Sequence, residues 1–266
     1  MSMKVTILGC GASGGVPRIG GHWGNCDPTN PKNTRRRCSI LVEKTSDTGT
    51  TRVLVDTSPD LRMQLIDAGI GEVDGVIYTH EHADHTHGVD DLRQVAFNRR
   101  QRTDVYMTKR VMDYLVPKFS YCFESPPDSF YPSILNAREM TAYKNFSIEG
   151  EGGVIDILPM DQHHGSILSM GFRFGNFTYS TDVNEFPKET ATALHGTKIW
   201  VIDALRYNAH KTHFNVETAL SWIERIGPDQ AFLTNMHHDL DYEALQAMLP
   251  ENVSPSHDGL SFSING

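Results

Sequence analysis

The sequence predicts an α/β (α+β) fold, and three observations carry that expectation. Short apolar runs of strand length, among them Val5-Thr6-Ile7-Leu8, Arg52-Val53-Leu54-Val55 and Ile199-Trp200-Val201-Ile202, recur from one end of the chain to the other. Stretches with helical spacing, such as Val89 to Ala96 and Val216 to Ile223, stand between them. The chain has 266 residues, 39% of them hydrophobic, enough to bury a full core and most simply read as one domain over 1–266.

Taken in order, Val5 to Leu8 reads as the first strand, and Gly9-Cys10-Gly11-Ala12-Ser13-Gly14 then matches G-x-G-x-x-G. A dinucleotide fingerprint needs a helix at the third glycine and an acid roughly 20 positions on. Val16-Pro17-Arg18-Ile19-Gly20-Gly21 follows instead and cannot be helical, so a tight glycine loop is expected. Cys38 to Glu43 and Arg52 to Asp56 read as a strand pair around the turn Ser46 to Gly49, followed by a helix from Pro59 to Ala68 that stops at Gly69. Val76-Ile77-Tyr78 reads as a buried strand, Asp104 to Met107 as another, and Lys109 to Phe119 as a helix. Glu124 to Asn136, with Pro126, Pro127 and Pro132, is expected to be an irregular wall of a substrate pocket, its Phe130 and Tyr131 serving as packing. In the second half Val154 to Met160, Gly171 to Phe174, Phe177 to Ser180, Lys198 to Asp203 and Gln230 to Thr234 read as strands, with helices at Pro187 to Leu194 and Val216 to Ile223.

The densest chemistry lies in Thr79-His80-Glu81-His82-Ala83-Asp84-His85-Thr86-His87-Gly88, between a strand and a helix, where scaffolds commonly place functional loops. In extended backbone His80 and His82 share a face, so both imidazoles can reach one cation. Asp84 and His85, at the turn, diverge and suit a second cation about 3.5–4 Å from the first, the separation at which two metals share a water.

This H-x-H-x-D-H run resembles the signature of the metallo-β-lactamase superfamily, and the likeness extends over nearly the whole chain: the glycine opening, His164 in Gln162-His163-His164-Gly165, Asp182 after Phe177-Thr178-Tyr179-Ser180, and His213 before a helix. The resemblance implies a four-layer αββα sandwich of the metallo-β-lactamase fold with two divalent metal ions at one edge. By it His80 and His82 belong to the first ion, Asp84 and His85 to the second, His164 adds a ligand, and Asp182 bridges. His82 stands where oxygen-reducing members carry a glutamate, so the match leans towards hydrolases. The family's terminal ligand ends a Leu-Thr-His strand; here Asn235 follows Leu233-Thr234, and His237, two residues on and on the same face, is assigned that role. Asp56 is expected to steady the metal loop without ligating.

Within the superfamily the likeness is to the phosphonate-pathway phosphoribosyl cyclic phosphodiesterases. It implies hydrolysis of a small, cyclic or nucleotide-like phosphodiester, with His213 and Asp84 as catalytic residues. A tRNA 3′-processing endonuclease or a non-catalytic nucleotide or cofactor binder is the alternative. Imidazole and carboxylate donors without thiolate admit zinc or manganese, and iron. Of the C-x-C-x-x-C that holds a structural zinc in some relatives only Cys26 is present, so that site is not expected. Arg35-Arg36-Arg37 reads either as a solvated edge or as contacts to an anionic substrate, since guanidinium forks suit phosphate.

The net charge of −9 argues against stable nucleic-acid binding, which rests on a basic face. Nothing approaches the ~20 apolar residues of a membrane span, and Met3 to Leu8 is too short for a signal-peptide core, so a cytoplasmic protein is expected. Cys10, Cys26, Cys38 and Cys122 lack C-x-x-C pairing and fit reduced thiols. A homodimer is left open.

Overall fold

The computed structural model describes residues 2–125 and 130–265. Strands β1 (Ser2–Gly9), β2 (Ser39–Ser46), β3 (Gly49–Val55), β4 (Gly75–Ile77), β5 (Thr103–Met107) and β6 (Leu135–Glu139) occupy the first half. In the second half come β7 (Phe146–Gly150), β8 (Gly153–His164), β9 (Ile167–Phe174), β10 (Phe177–Ser180), β11 (Ile199–Asp203), β12 (Gln230–Thr234), β13 (Val253–Pro255) and β14 (Ser261–Asn265). They build two seven-stranded sheets, ordered β14-β1-β2-β3-β4-β5-β6 and β13-β12-β11-β10-β9-β8-β7. With helices on the outer faces, this is the αββα sandwich that the sequence led us to expect.

Side-chain alternation explains the layers. On β2 Ile40 and Val42 enter the core between the sheets while Leu41 faces the helices, and on β3 Val53 and Val55 divide from Leu54 in the same way. Strands apolar on both faces read as continuous hydrophobic runs. The inter-sheet layer also takes Phe172, Phe174, Tyr179 and Trp200 from the second sheet, all fully buried. Helix 61–68 ends at Gly69, whose φ of 69° is the left-handed conformation that glycine adopts without a steric penalty.

Crossover helices make β3, β4, β5 and β6 parallel neighbours, and β10, β11, β12 and β13 parallel in the other sheet. The carboxyl ends of such strands are where α/β sheets hold ligands.

The structure departs from expectation in the middle of the chain. Leu135 to Glu139 is a strand at the sheet edge, although the stretch up to Asn136 was expected to be irregular; only Leu135 and Asn136 are covered, so no alternating pattern marks it. Pro126 and Pro127 lie outside the described residues. Phe130 and Tyr131 are 98% and 73% exposed, so they do not serve as core packing. Among the described residues no helix is long and apolar enough to cross a membrane.

Candidate metal centre

Three strand ends on the two sheets carry non-glycine residues in left-handed backbone: Asp56 after β3 (φ 63°), Asp182 after β10 (φ 52°) and Asn235 after β12 (φ 60°). Such conformations persist where surrounding contacts over-determine them, and they cluster at functional sites. Asp56 and Asp182 turn their carboxylates towards the loop that follows β4, and Asn235 turns its amide towards His213 in the same cleft.

That loop folds tightly. After Tyr78 the chain bends at Thr79 and Glu81, His82 is extended, and Ala83–Thr86 makes one helical turn carrying Asp84 and His85. The His80 and His82 rings lie 4.5 Å apart, and His164, the last residue of β8, brings a third ring 5.1 Å from each. His164 Nε2 is 3.3 Å from His82 Nδ1, and the backbone carbonyl of Thr212 fixes His164 Nδ1 at 2.7 Å. On the other side His85 Nε2 is 3.1 Å from Asp182 Oδ2 and 3.6 Å from Asp84 Oδ2. Asp182 Oδ1 faces the opposite way, 3.8 Å from His164 Nε2, so the two oxygens of one carboxylate address the two halves of the cluster. His80, His82, Asp84, His85, His164 and Asp182, expected as ligands from the sequence, are thus brought together.

The donor set fits divalent cations. His80 Nε2 is buried in the cluster with no hydrogen-bond partner, a costly arrangement for a ring nitrogen unless a ligand takes it. Its imidazole is held neutral: burial pushes its pKa well below the usual histidine value, and neighbouring His85 adds to the effect. Metal ligation requires neutral imidazole. Burial would also depress His85, but Asp182, Asp84 and Asp56 around it outweigh burial and raise it; burial would raise Asp182, yet the same His85 holds it well below the carboxylate range.

Supporting contacts orient these groups. Asp56 Oδ2 sits 2.7 Å from His85 Nδ1, while its two oxygens accept from Thr79 N and Thr79 Oγ1, each at 2.8 Å. A carboxylate behind a histidine in this way fixes ring orientation and tautomer, as it does behind histidines that ligate metals. Glu81, within the motif, points away and pairs with Arg110 at 2.6 Å. His87 packs edge-on against Phe119, outside the cluster.

His213 joins the site from the loop after β11. Its Nδ1 is 3.0 Å from Asp203 Oδ2, 3.1 Å from Asn235 Nδ2 and 3.8 Å from Asp182 Oδ1. Burial alone would lower its pKa; the Asp203 carboxylate, with Asp182 beyond it, overcomes this and holds it at about 9.

Two expectations are corrected. His237 does not complete the cluster: its Nδ1 is 2.9 Å from Asp239 Oδ2, its ring lies 4.0 Å from that of His238, and its Nε2 contacts the Arg18 guanidinium. The assignment assumed extended backbone past Thr234, but β12 stops there and the positive φ of Asn235 breaks the alternation, so Asn235 meets His213 while His237 lines the same cleft beside Arg18. Arg35, Arg36 and Arg37 do not reach the cleft as substrate contacts. Arg35 is 1% exposed and donates to the carbonyls of His237 and Leu240 at 3.2 and 2.6 Å, Arg36 pairs with Asp67, and Arg37 pairs with Asp60 at 2.7 Å. Each guanidinium is used in tying loops together.

The cluster opens into a cleft of about 520 Å³ walled by Arg18, Ser166, Arg206, His210 and Thr212. Of these cationic groups the sequence reading singled out none, because they sit on loops without periodicity. Asp203 was visible only as a strand-terminal acid, in the same pattern as Asp56 and Asp182.

Comparison with known proteins agrees with this geometry. The family model described as "Beta-lactamase superfamily domain" matches residues 51–237, and the chain belongs to the metallo-β-lactamase superfamily. A solved structure titled "Crystal Structure of a New Diphosphatase from the PhnP Family" superposes with a TM-score of 0.87 at 31% identity, covering 99% of this chain and 98% of that one. Human tRNase Z, short form, shares the fold at a TM-score of 0.66 and 15% identity, covering 98% of this chain and 99% of its own. A curated relative from Porphyromonas gingivalis (strain ATCC BAA-308 / W83), named octanoyltransferase, is 32% identical over 268 residues; the match takes in 99% of this chain, which spans about half, 52%, of that relative's length. The chain has the metallo-β-lactamase fold, with histidine and aspartate clusters whose donors suit divalent metals.

Proposed function

We propose that the protein is a phosphodiesterase acting on small phosphodiester or nucleotide-like substrates with two divalent ions held by His80, His82, Asp84, His85, His164 and Asp182. The observation that carries this reading is the single carboxylate of Asp182, which addresses both halves of the donor cluster at once. Bound cations would supply Lewis-acid polarisation of a phosphoryl oxygen and a water acidified towards neutral pH. The chain's own residues do the rest. Arg18 and Arg206 place positive charge on the cleft wall, where a phosphate's negative charge would be met by guanidinium. His213, fixed by Asp203, is positioned to protonate the leaving oxygen.

A second reading, hydrolysis of a diphosphate, is favoured by the 31% identical relative described as a diphosphatase. It needs the same groups, with phosphate in place of alkoxide as leaving group. Nucleic acid as substrate gains little support from a net charge of −9 or from a tRNase Z likeness at 15% identity. The cytoplasmic location is supported by four free, buried thiols.

The test is a substrate panel of linear phosphodiesters, cyclic phosphodiesters and nucleoside diphosphates, run with zinc- and manganese-loaded wild type and His213→Ala. Turnover of diesters is expected, with His213→Ala slowed about 10²–10⁴-fold on alkyl leaving groups and far less on p-nitrophenyl esters, whose leaving group needs no proton. Absence of turnover on every phosphate ester, with metal bound, would refute the reading.

A further inference from the structure

The glycine loop after β1 and the segment after β12 meet at one wall of the cleft. Met236 N donates to Cys10 O at 2.9 Å and Ala12 N to Met236 O at 3.2 Å, a short backbone pairing that brings His237 beside the turn holding Arg18. His237 is fixed at both backbone groups: its N–H donates to Leu205 O at 2.8 Å, and its carbonyl accepts from Arg35 at 3.2 Å. Its ring is fixed as well, since Asp239 Oδ2 lies 2.9 Å from Nδ1 and draws the imidazole proton to that nitrogen. Burial lowers the His237 pKa against the pull of Asp239, and His238 and Arg18 add to the fall. The ring is thus neutral at pH 7, and Nε2 keeps a lone pair for the Arg18 guanidinium that touches it. The Arg18 side chain lies across Gly14, where a Cβ would come within 3.2 Å of Arg18 Nε. The other cleft-wall arginine is used differently: Arg206 Nε donates to Asn208 O at 3.2 Å and Nη2 to Ala209 O at 2.9 Å, so that guanidinium closes its own loop. Among the described residues the Arg18 guanidinium has no hydrogen-bond partner besides His237, and its side chain is exposed along the cleft. The cleft's volume of about 520 Å³ is that of a pocket enclosing a whole small molecule rather than one phosphoryl group.

We infer that Asp239 and His237 hold Arg18 as the residue that recognises a second, unreacting phosphate of the substrate, apart from the phosphoryl group met by the histidine and aspartate cluster. The inference rests on the phosphodiesterase reading and deepens it by naming the substrate class: a phosphodiester whose organic part carries a further phosphate. With Nη2 engaged by His237, Nε and Nη1 of Arg18 remain for the ligand, and guanidinium donors match phosphate oxygens in geometry and charge. His237 and Asp239 are positioning residues, since they act on Arg18 and not on substrate. An exposed arginine loses rotamer freedom when it binds an anion, and a partner that orders it beforehand removes part of that cost. The gain is made in binding and not in the reacting bond, so it belongs in KM and not in kcat.

The experiment uses the metal-loaded full chain and two esters that differ by one phosphate, thymidine 5′-(p-nitrophenyl phosphate) with and without a 3′-phosphate. Calorimetric titration of thymidine 3′,5′-bisphosphate reads the same contact without turnover, and circular dichroism melting checks that each variant is folded. Arg18→Ala is expected to raise KM for the 3′-phosphorylated ester about tenfold or more with kcat within about twofold, and to move KM for the other ester by less than about twofold. His237→Ala and Asp239→Asn should raise KM for the phosphorylated ester about three- to fivefold. His237→Gln, which returns an acceptor near the place of Nε2, should restore it, a rescue that a merely structural role would not produce. Equal changes of KM on both esters in folded Arg18→Ala, or none, overturn the inference and leave the phosphodiesterase reading standing. A large effect of Arg18→Ala with none from His237→Ala and Asp239→Asn overturns the positioning. Wild type that cleaves neither ester yet binds the bisphosphate about tenfold more tightly than Arg18→Ala refutes the phosphodiesterase reading and supports the anion site. Wild type that neither cleaves nor binds overturns both.

Discussion

The two sheets supply the candidate metal centre in different ways. The first places His80, His82, Asp84 and His85 within six consecutive residues, on one loop after β4 that a single turn of helix closes. The second contributes one residue per strand end, His164 from β8 and Asp182 after β10, with Asp203 from β11 and Asn235 after β12 behind them. A loop of this kind is a local object whose donors are fixed by a few dihedrals. The other set exists only once β8, β10, β11 and β12 are in register, so the centre reports on correct assembly of the sandwich as well as on its own residues.

The strongest way to break the comparison is to remove the one residue of the second sheet that serves both halves. Asp182→Asn keeps the shape and removes the charge, and turnover is expected to fall by about 10²–10³-fold or more, the scale of losing one preorganised stabilising group. Elemental analysis should show metal content falling with it. If Asp182→Asn keeps both metal and turnover, the centre is held by the loop alone and the second sheet is only a wall.

A smaller effect is expected from Arg35, which joins the regions structurally. Its buried guanidinium donates to Asn33 Oδ1 at 3.2 Å and to the Leu240 and His237 carbonyls. Arg35→Met should strip those carbonyls of their guanidinium donor and cost about 3 kcal/mol in urea unfolding, with KM for phosphodiesters nearly unchanged. A large rise in KM without loss of stability would restore the substrate role.

The same contrast explains what the sequence made legible. Where chemistry is local, as in His80 to His85, residue types and period-two geometry were enough, and the strands apolar on both faces could be read as buried. His237 failed for a physical reason: period-two counting holds only while the backbone stays extended, and Asn235 at φ 60° ends that condition. The arginines failed because a run of three cations carries no direction, and each found an acid or carbonyl nearby. Arg18 and Arg206 came to the cleft by tertiary placement of irregular loops, which no local pattern records.

Third in size are the carboxylates that orient a histidine in each region. Asp56→Asn in the first sheet and Asp203→Asn in the second should each lower activity or metal affinity about 10–100-fold. They should differ in kind: Asp56→Asn acts through His85 and should lower metal retention, whereas Asp203→Asn acts through His213 and should lower kcat with metal retained. Identical losses of metal from both would erase the distinction between a ligand-supporting and a proton-supporting acid.

The smallest effect concerns Asp258, in the turn that returns the chain to the first sheet before β14. Its Oδ1 accepts from Cys10 N at 3.2 Å and its Oδ2 from Arg36 N at 2.8 Å. Burial nevertheless dominates and raises its pKa from 3.8 to about 7. A carboxyl raised in the folded state binds its proton more tightly there than in the unfolded chain. Its stabilising contribution is thus complete below pH ~3.8 and is lost progressively as pH rises towards ~7, with no further change above. Thermal melts of the metal-depleted protein at pH 5 and pH 8 should show wild type losing a few degrees relative to Asp258→Asn over that interval, because the amide cannot ionise. The relevant quantity is the difference in slope between the two proteins, since other acids and histidines titrate equally in both. Parallel slopes would mean that the two backbone donors already offset burial, and that the link between the C-terminal turn and the first sheet is indifferent to pH.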